Sequence, residues 1–227
     1  MSRSLIAADN LKASSPAETG RFYEFSPEIV EKWFGGKDLR LGRFGVQGDG
    51  SCFWHSVCVA LNLDDYVHQS EDVQRQIAYK LRCSQSAKLD AGLLKTIAKK
   101  VSNGKSPKSR AELHEALCDP KVWADETAIR LFSETSGINI IFLDMNKNEM
   151  YCGVHHEDAL TKKLPKTMVV LWMNHAHFEP LALLVKHGKL TSELRVLFDP
   201  EKYQEDEAII KALMTSYATS CNIRKKF

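Results

Sequence analysis

The chain has 227 residues, 44% of them apolar, and a formal net charge of +2 with both signs interspersed. That size and apolar content suit one domain, or one domain with tails, built on a continuous core, and exclude a disordered chain. The even charge balance argues against a nucleic-acid-binding protein, which shows a clustered basic face, and Arg224-Lys225-Lys226 reads as a solvated tail.

In chain order, residues 1–20 carry Ser, Ala, Lys and Glu with no sustained period and read as a mobile leader. Ser26-Pro27-Glu28 opens a short helix through Phe34, with a capping serine, a first-turn proline and an early acid, and Gly35-Gly36 ends it. Phe44-Gly45-Val46 is a short extended piece that feeds the Gly48-Asp49-Gly50 turn. Cys52 to Leu63 reads as a buried helix. Glu71 to about Ala87 follows, with Val73, Ile77 and Leu81 four apart on one face. Leu93, Ile97 and Val101 mark a shorter amphipathic segment, and Asn103 to Ser109 a polar loop. Ala111 to Leu117 is a helix stopped by Asp119-Pro120, and Trp123 to Ser136 is the clearest helix, closed by Gly137.

After Gly137 the pattern turns to strands: Ile138 to Leu143, Glu149 to Val154, Met168 to Met173 and Phe178 to Val185, with a turn at Met145-Asn146-Lys147-Asn148. From Asp199-Pro200 the chain is charged and helical, with Ile209, Ile210, Leu213 and Met214 as its apolar face. Helices first and strands later predict an α+β domain with helices over a small sheet.

Six cysteines (Cys52, Cys58, Cys83, Cys118, Cys152, Cys221) are scattered, with no Cys-x-x-Cys pair for a zinc site or a thioredoxin-type centre. The first residues lack the apolar run of a signal peptide, and the stretch Met168 to Met173 is far short of a membrane span. The expectation is a monomer with unpaired thiols in a reducing compartment, the cytosol of the producing cell or of a host, without membrane, metal or cofactor.

Cys52 is the only cysteine between a glycine turn and a helix start, where the helix dipole favours a thiolate. Amides of Asp49, Gly50, Ser51 and Cys52 bend around one spot and are candidates to hold an oxyanion, with Gly48 and Gly50 supplying conformational freedom. The other cysteines read as small buried hydrophobes. For a base, His175 and His177 sit two apart and face the same side of a strand, and the residues alone do not separate them. As a His-x-His pair they also suit a metal, but no third ligand is spaced nearby. His155-His156 reads as solvent-facing, and His55 either lines the site or hydrogen-bonds locally. Trp54, Trp123 and Trp172 read as core. This is the pattern of a cysteine hydrolase.

The run Asp49-Gly50-Ser51-Cys52-Phe53-Trp54-His55 resembles the Asp-Gly-x-Cys box of the ovarian tumour (OTU) family of deubiquitinating cysteine proteases. Trp123-Ala124-Asp125-Glu126 resembles that family's Trp-led helix, and His177-Phe178 its strand ending in histidine and an aromatic. The three blocks run in the expected order between about Phe44 and Val185. The resemblance implies a papain-like α+β domain over 21–190, with helices packed around a small, mostly antiparallel sheet. A leader over 1–20 and a charged, helical C-terminal extension over 191–227 flank it.

It further implies Cys52 as nucleophile and His177 as base. The family commonly has Asn or Asp two positions after that histidine; here Glu179, followed by Pro180, is taken as the orienting group. Asp49 helps it or shapes the oxyanion loop, and a plain surface carboxylate is the competing reading of Glu179. The implied substrate is ubiquitin, a polyubiquitin chain or a ubiquitin-like modifier joined to lysine, cleaved through a thioester without cofactor or metal. A catalytically weak ubiquitin-binding module and another kind of thiol hydrolase are the alternatives. The Cys-Phe-aromatic-His box also resembles OTU domains carried by viruses, which leaves a host-directed effector and a housekeeping protease both open.

Overall fold

A computed structural model describes residues 16–36, 38–92, 109–145, 149–152, 166–174, 176–187 and 191–224. The amphipathic segment at Leu93, Ile97 and Val101, most of the polar loop after it, the 146–148 turn, His155-His156 and His175 lie outside the described residues. The chain divides into two units, one of Met1–Val46 with Asn139–Phe227 and one of Gln47–Ile138.

The first unit is built on a sheet. Its strands are β1 (Phe22–Glu24), β2 (Leu41–Phe44), β3 (Asn139–Asp144), β4 (Glu149–Cys152), β5 (Thr167–Met173), β6 (His177–His187), β7 (Thr191–Arg195) and β8 (Leu197–Phe198). They run in the order β1-β2-β6-β5-β3-β4, with β7 added to β6 and β8 to β5. Among the described residues only β3 and β5 pair in parallel, so the sheet is mostly antiparallel, as expected. The long strand β6 changes partner along its length. His177 to Pro180 pair with β5, and Leu181 to Leu183 with β2. Pro180, which has no N–H to give, sits at this handover, where a strand can accept it.

The first helix, α1 (Pro27–Phe34), forms as the sequence predicts: the Ser26 hydroxyl accepts the Ile29 N–H, and Gly35 ends the helix at φ 74°, where a side chain would be strained. It buries Ile29, Val30 and Phe34 against a sheet face carrying Ile141, Leu143, Val169, Leu171, Leu181 and Leu183. The same core takes Ile209, Ile210, Leu213 and Met214 from the last helix, Gln204–Arg224.

Residues on both sides of 21–190 pack into the first unit. The chain from 191 was read as a helical extension, but β7 and β8 join the sheet and the last helix fills its core. Arg195 and Asp206 are both buried and meet at 2.8 Å, while the Asp199 N–H donates to the second Asp206 oxygen at 2.7 Å. Burial raises the Asp206 pKa against the pull of these two donors. At the other end, Ala17 is buried and the Gly20 N–H donates to Gly45 O, so residues 17–20 pack rather than trail. Apolar periodicity does not register such contacts, because they are made by backbone and by single residues.

The second unit contains α2 (Cys52–Leu61), α3 (Glu71–Gln85), α4 (Arg110–Cys118) and α5 (Glu126–Ser136), with 3-10 turns at Leu63–His68 and Ser86–Lys88. Buried Phe53, Trp54 and Phe132 meet edge to face, with ring centres 5.2–6.3 Å apart. Three expectations fail here. The face of α3 that is buried holds Gln74, Ala78, Arg82 and Gln85, one position on from the predicted apolar stripe, and Val73 is 37% exposed. Its polar residues are buried because they donate to backbone carbonyls: Gln74 to Tyr66 O, Gln85 to Leu81 O, and Arg82 to Asp119 O and Val122 O. Helix α5 starts at Glu126, because Asp125 caps it by accepting the Ala128 N–H, so Trp123 lies before the helix and is 50% exposed rather than core. And Cys83 and Cys118, expected as free thiols, are joined as a disulfide with Cα atoms 4.9 Å apart.

Candidate active site

The second unit holds the expected nucleophile. Cys52 is the first residue of α2 and Ser51 its cap, so the thiol stands at the positive end of a buried helix. It is 5% exposed. The turn before it is closed by its own carboxylate: Asp49 accepts the Ser51 N–H at 2.7 Å, and the Cys52 N–H points back to Asp49 O at 3.3 Å. Both Asp49 oxygens lie 3.1 Å from Nε2 of His55, which is fully buried, and Nδ1 of that ring meets the Tyr66 hydroxyl. One tautomer satisfies all three groups, with Nε2–H donating to Asp49 and Nδ1 accepting from Tyr66. Burial pushes Asp49 up, but the His55 hydrogen bond, the Ser51 N–H and nearby Arg75 outweigh it and hold the carboxyl below its usual value. Burial, with Cys58 and Asp49 nearby, raises Tyr66 and keeps its proton in place.

A residue that the sequence reading missed holds the turn from outside. Arg82 of α3 is 1% exposed; it donates to the Ser51 hydroxyl at 2.9 Å and to Gly50 O at 3.4 Å. The same guanidinium donates to Asp119 O at 2.9 Å and Val122 O at 2.7 Å, tying the turn to the chain after α4. Upstream, Gln47 bonds Glu71 O and the Gln74 side chain. An arginine on a helix gives no hydrophobic signal, so nothing in the periodicity of α3 pointed to it.

Gly50 was expected for conformational freedom, but its φ lies outside the left-handed region. A Cβ there would stand 1.9 Å from Pro120 O and 3.7 Å from the Trp123 ring, so close approach is what demands glycine. Likewise, only the amides of Asp49 and Gly50 remain of the four donors considered, since those of Ser51 and Cys52 turn to Asp49.

Among the described side chains, Cys52 and Cys58 are the free cysteines. Cys58 has no exposure, and burial with the charge of Asp64 pushes its thiol up to about 12, a structural position. The side chains of Cys152 and Cys221 lie outside the description.

The first unit holds the expected base. His177 and Glu179 begin β6 two residues apart and share a face, opposite Met173 and Leu171 of β5. Glu179 Oε1 lies 3.4 Å from His177 Nε2, at ion-pair distance. Glu179 has no exposure, which rules out the surface-carboxylate reading. Arg43 of β2 donates to its Oε2 at 3.1 Å, and the Ala17 N–H donates to Oε1 at 2.5 Å. Arg43 is itself buried, over the Tyr23 ring and against Met173 Sδ. Phe178 faces the other way, stacked on Trp172 and edge-on to Phe142. Neither Arg43 nor Ala17 was singled out from sequence.

Among the described residues no group of three or more His, Cys, Asp or Glu is arranged to hold a metal ion, and no helix is long and apolar enough to cross a membrane.

No family model and no curated protein sequence matches the chain. Solved structures do. An ovarian tumour domain in complex with ubiquitin superimposes with a TM-score of 0.52 at 16% identity, over 81% of this chain and 89% of that one. The OTU domain of OTUD1 (TM-score 0.46, 13% identity, 69% and 93% covered) and the ubiquitin-bound Hazara virus OTU (0.43, 17%, 66% and 84%) are more distant, below the level at which a fold is read. The first of these likenesses establishes the architecture: the chain has the OTU fold, an α+β papain-like domain.

Proposed function

We propose that the chain is a cysteine-dependent deubiquitinase that hydrolyses isopeptide bonds at the C-terminal glycine of ubiquitin or a ubiquitin-like modifier. Cys52 is the nucleophile, His177 the base, Glu179 the group that orients the imidazole, and Asp49 the residue that shapes the oxyanion turn. The observation that carries this reading is the buried carboxylate of Glu179 beside His177. A carboxylate without exposure, held by a guanidinium and a backbone N–H, is costly to build, and next to a histidine it sets ring orientation and favours the imidazolium. The OTU fold, seen in a neighbour that binds ubiquitin, supports ubiquitin or polyubiquitin as the partner. The chain is proposed to act as a monomer in the cytosol.

The reaction runs in two halves. His177 takes the Cys52 proton, and the thiolate attacks the isopeptide carbonyl. The tetrahedral oxyanion draws on the amides of Asp49 and Gly50. His177 then returns the proton to the departing lysine amine, leaving a thioester. In the second half the same imidazole takes a proton from water, the hydroxide attacks the thioester, and the thiol leaves with the modifier freed as a carboxylate.

A ubiquitin carrying a C-terminal electrophile tests the assignment. It is expected to label Cys52, with no labelling or cleavage in Cys52→Ala, and labelling that survives this change ends the proposal. His177→Ala is expected to silence the enzyme while His175→Ala keeps substantial activity; the opposite result gives the base role to His175.

The 5% exposure of Cys52 favours one second reading, a ubiquitin-binding module with weak or no catalysis. Calorimetric binding of ubiquitin under reducing conditions, without turnover of diubiquitin, supports that reading instead.

A further inference from the structure

Cys83 lies two residues before the end of α3, and Cys118 is the last residue of α4. Their Cα separation of 4.9 Å allows a disulfide without backbone movement. Both are partly exposed, unlike Cys58. One turn before Cys118 on the same helix, the His114 ring places its nitrogens 3.6 and 3.9 Å from Cys118 Sγ, and its Nδ1 2.7 Å from the Ser86 hydroxyl. A cavity of about 670 Å³ opens beside them, lined by Cys83, Ser86, Arg110 and His114 among others. Cys118 has an imidazole beside it, and its partner Cys83 lines the cavity together with that imidazole and Arg110, which are the surroundings of a reactive pair rather than a structural one.

The pair also adjoins the clamp on the nucleophile turn. Arg82 is next to Cys83 and Asp119 next to Cys118, and the Arg82 guanidinium joins Asp119 O and Val122 O to Ser51 Oγ and Gly50 O. Closing the bridge fixes both ends of that clamp. Opening it removes a crosslink between residues 35 apart in sequence.

We propose that Cys83 and Cys118 form a reversible oxidation site, closed by a small hydroperoxide and opened by a dithiol, whose closed form holds Arg82 and the Gly50–Ser51 turn in place. In the closing reaction His114 takes the Cys118 proton and the thiolate attacks one peroxide oxygen. The O–O bond breaks, giving a sulfenic acid and, with the proton, one water. The Cys83 sulfur then attacks the sulfenic sulfur, the S–O bond breaks, and a second water leaves. Two thiols are oxidised by two electrons in all, and one hydrogen peroxide is reduced to two waters. A dithiol reverses the step by exchange through a mixed disulfide. The site itself does not depend on the proposed hydrolase activity.

The test uses the full-length wild-type chain, held in excess dithiothreitol or treated with one equivalent of hydrogen peroxide. Peptide mapping without reductant is expected to find a Cys83–Cys118 linked peptide after peroxide, and to lose it after dithiothreitol. Amide exchange at Gly50 to Cys52 is expected to be at least about threefold slower in the closed form. Cys83→Ser/Cys118→Ser should exchange at the open rate under both conditions, and His114→Ala should close several-fold more slowly. Two unlinked thiols after peroxide overturn the oxidation site. Equal exchange in both wild-type forms overturns its hold on the turn, and wild-type closing in His114→Ala overturns the role of that histidine.

Discussion

Arg43 Nη1 lies 3.1 Å from Glu179 Oε2, with the two side chains 6% and 0% exposed. Water screens such a pair little, so removing the guanidinium leaves the Glu179 charge buried with only the Ala17 N–H and His177 beside it. Arg43→Met is therefore expected to cost about 3–5 kcal/mol in urea unfolding. Arg43→Met/Glu179→Gln should recover much of that loss, because the stranded charge is gone. A single variant as stable as wild type contradicts the burial of this pair.

The same carboxylate can be tested for its work on His177. Glu179→Gln keeps an oxygen to accept the Ala17 N–H but removes the charge beside the imidazole. If Glu179 orients and stabilises the protonated ring, kcat on diubiquitin falls about 10²–10⁴-fold while KM stays within about twofold. Wild-type kcat in a Glu179→Gln variant that still unfolds cooperatively, at whatever midpoint, makes Glu179 a structural anchor for the chain around Ala17 and not a positioning residue.

What could be read from the sequence followed from local pattern. Ser26, Pro27 and Gly35 bound a helix with its own caps, and β5 and β6 have branched, apolar runs that leave few other choices. Cys52 was visible because a glycine turn and an apolar helix are both short-range signals. Arg43, Ala17 and Arg82 were not, because each acts on a residue brought to it by the fold, at sequence separations of 136, 162 and 31. The buried face of α3 was misread for the same reason: Gln74 and Arg82 are inside because they have partners, and a hydrophobic period counts only apolar side chains. The nearness of Glu179 to His177 was legible from their offset of two, and its burial was not.

Asp49 makes a prediction with a defined pH window. Its carboxyl is held below the usual value, so the ionised group stabilises the folded chain above the unfolded pKa of about 3.9, and that contribution is lost as pH falls through the folded value. Asp49→Asn should be less stable than wild type at pH 7 by about 1 kcal/mol, a modest figure because the side chain is 37% exposed to screening solvent. The gap should hold down to about pH 5, narrow below about pH 4 and vanish in stronger acid. A gap that is constant from pH 7 to pH 3 in urea titrations excludes an ionised Asp49 as the source.

Gly50 gives a steric prediction. Gly50→Ala puts a methyl group 1.9 Å from Pro120 O, which is backbone and cannot turn aside. Either the turn or the chain after α4 must move, and the Arg82 hydrogen bonds to both are strained. The expected cost is about 2–4 kcal/mol in stability, with a greater loss in the rate of Cys52 labelling than the unfolded fraction explains. Gly137→Ala cannot serve as a control, because Gly137 stands at φ 68°; the comparison is with wild type alone.

The C-terminal segment yields the prediction that departs furthest from the sequence reading. A chain ending at residue 190 would keep every motif of the proposed site, and on the sequence boundaries it should fold. In the structure it lacks β7, β8 and the four core side chains of the last helix, all of them 0–3% exposed. The residues left behind, among them Ile29, Phe34, Leu171 and Leu183, would then face water across the area those side chains cover. Leu213→Ala alone is expected to cost about 2–5 kcal/mol, since it empties a packed position, and the truncated chain is expected to be insoluble or to lack a cooperative melt. A sharp thermal transition for residues 16–190, with ubiquitin-probe labelling intact, would show that the last helix is an addition to the fold and not part of its core.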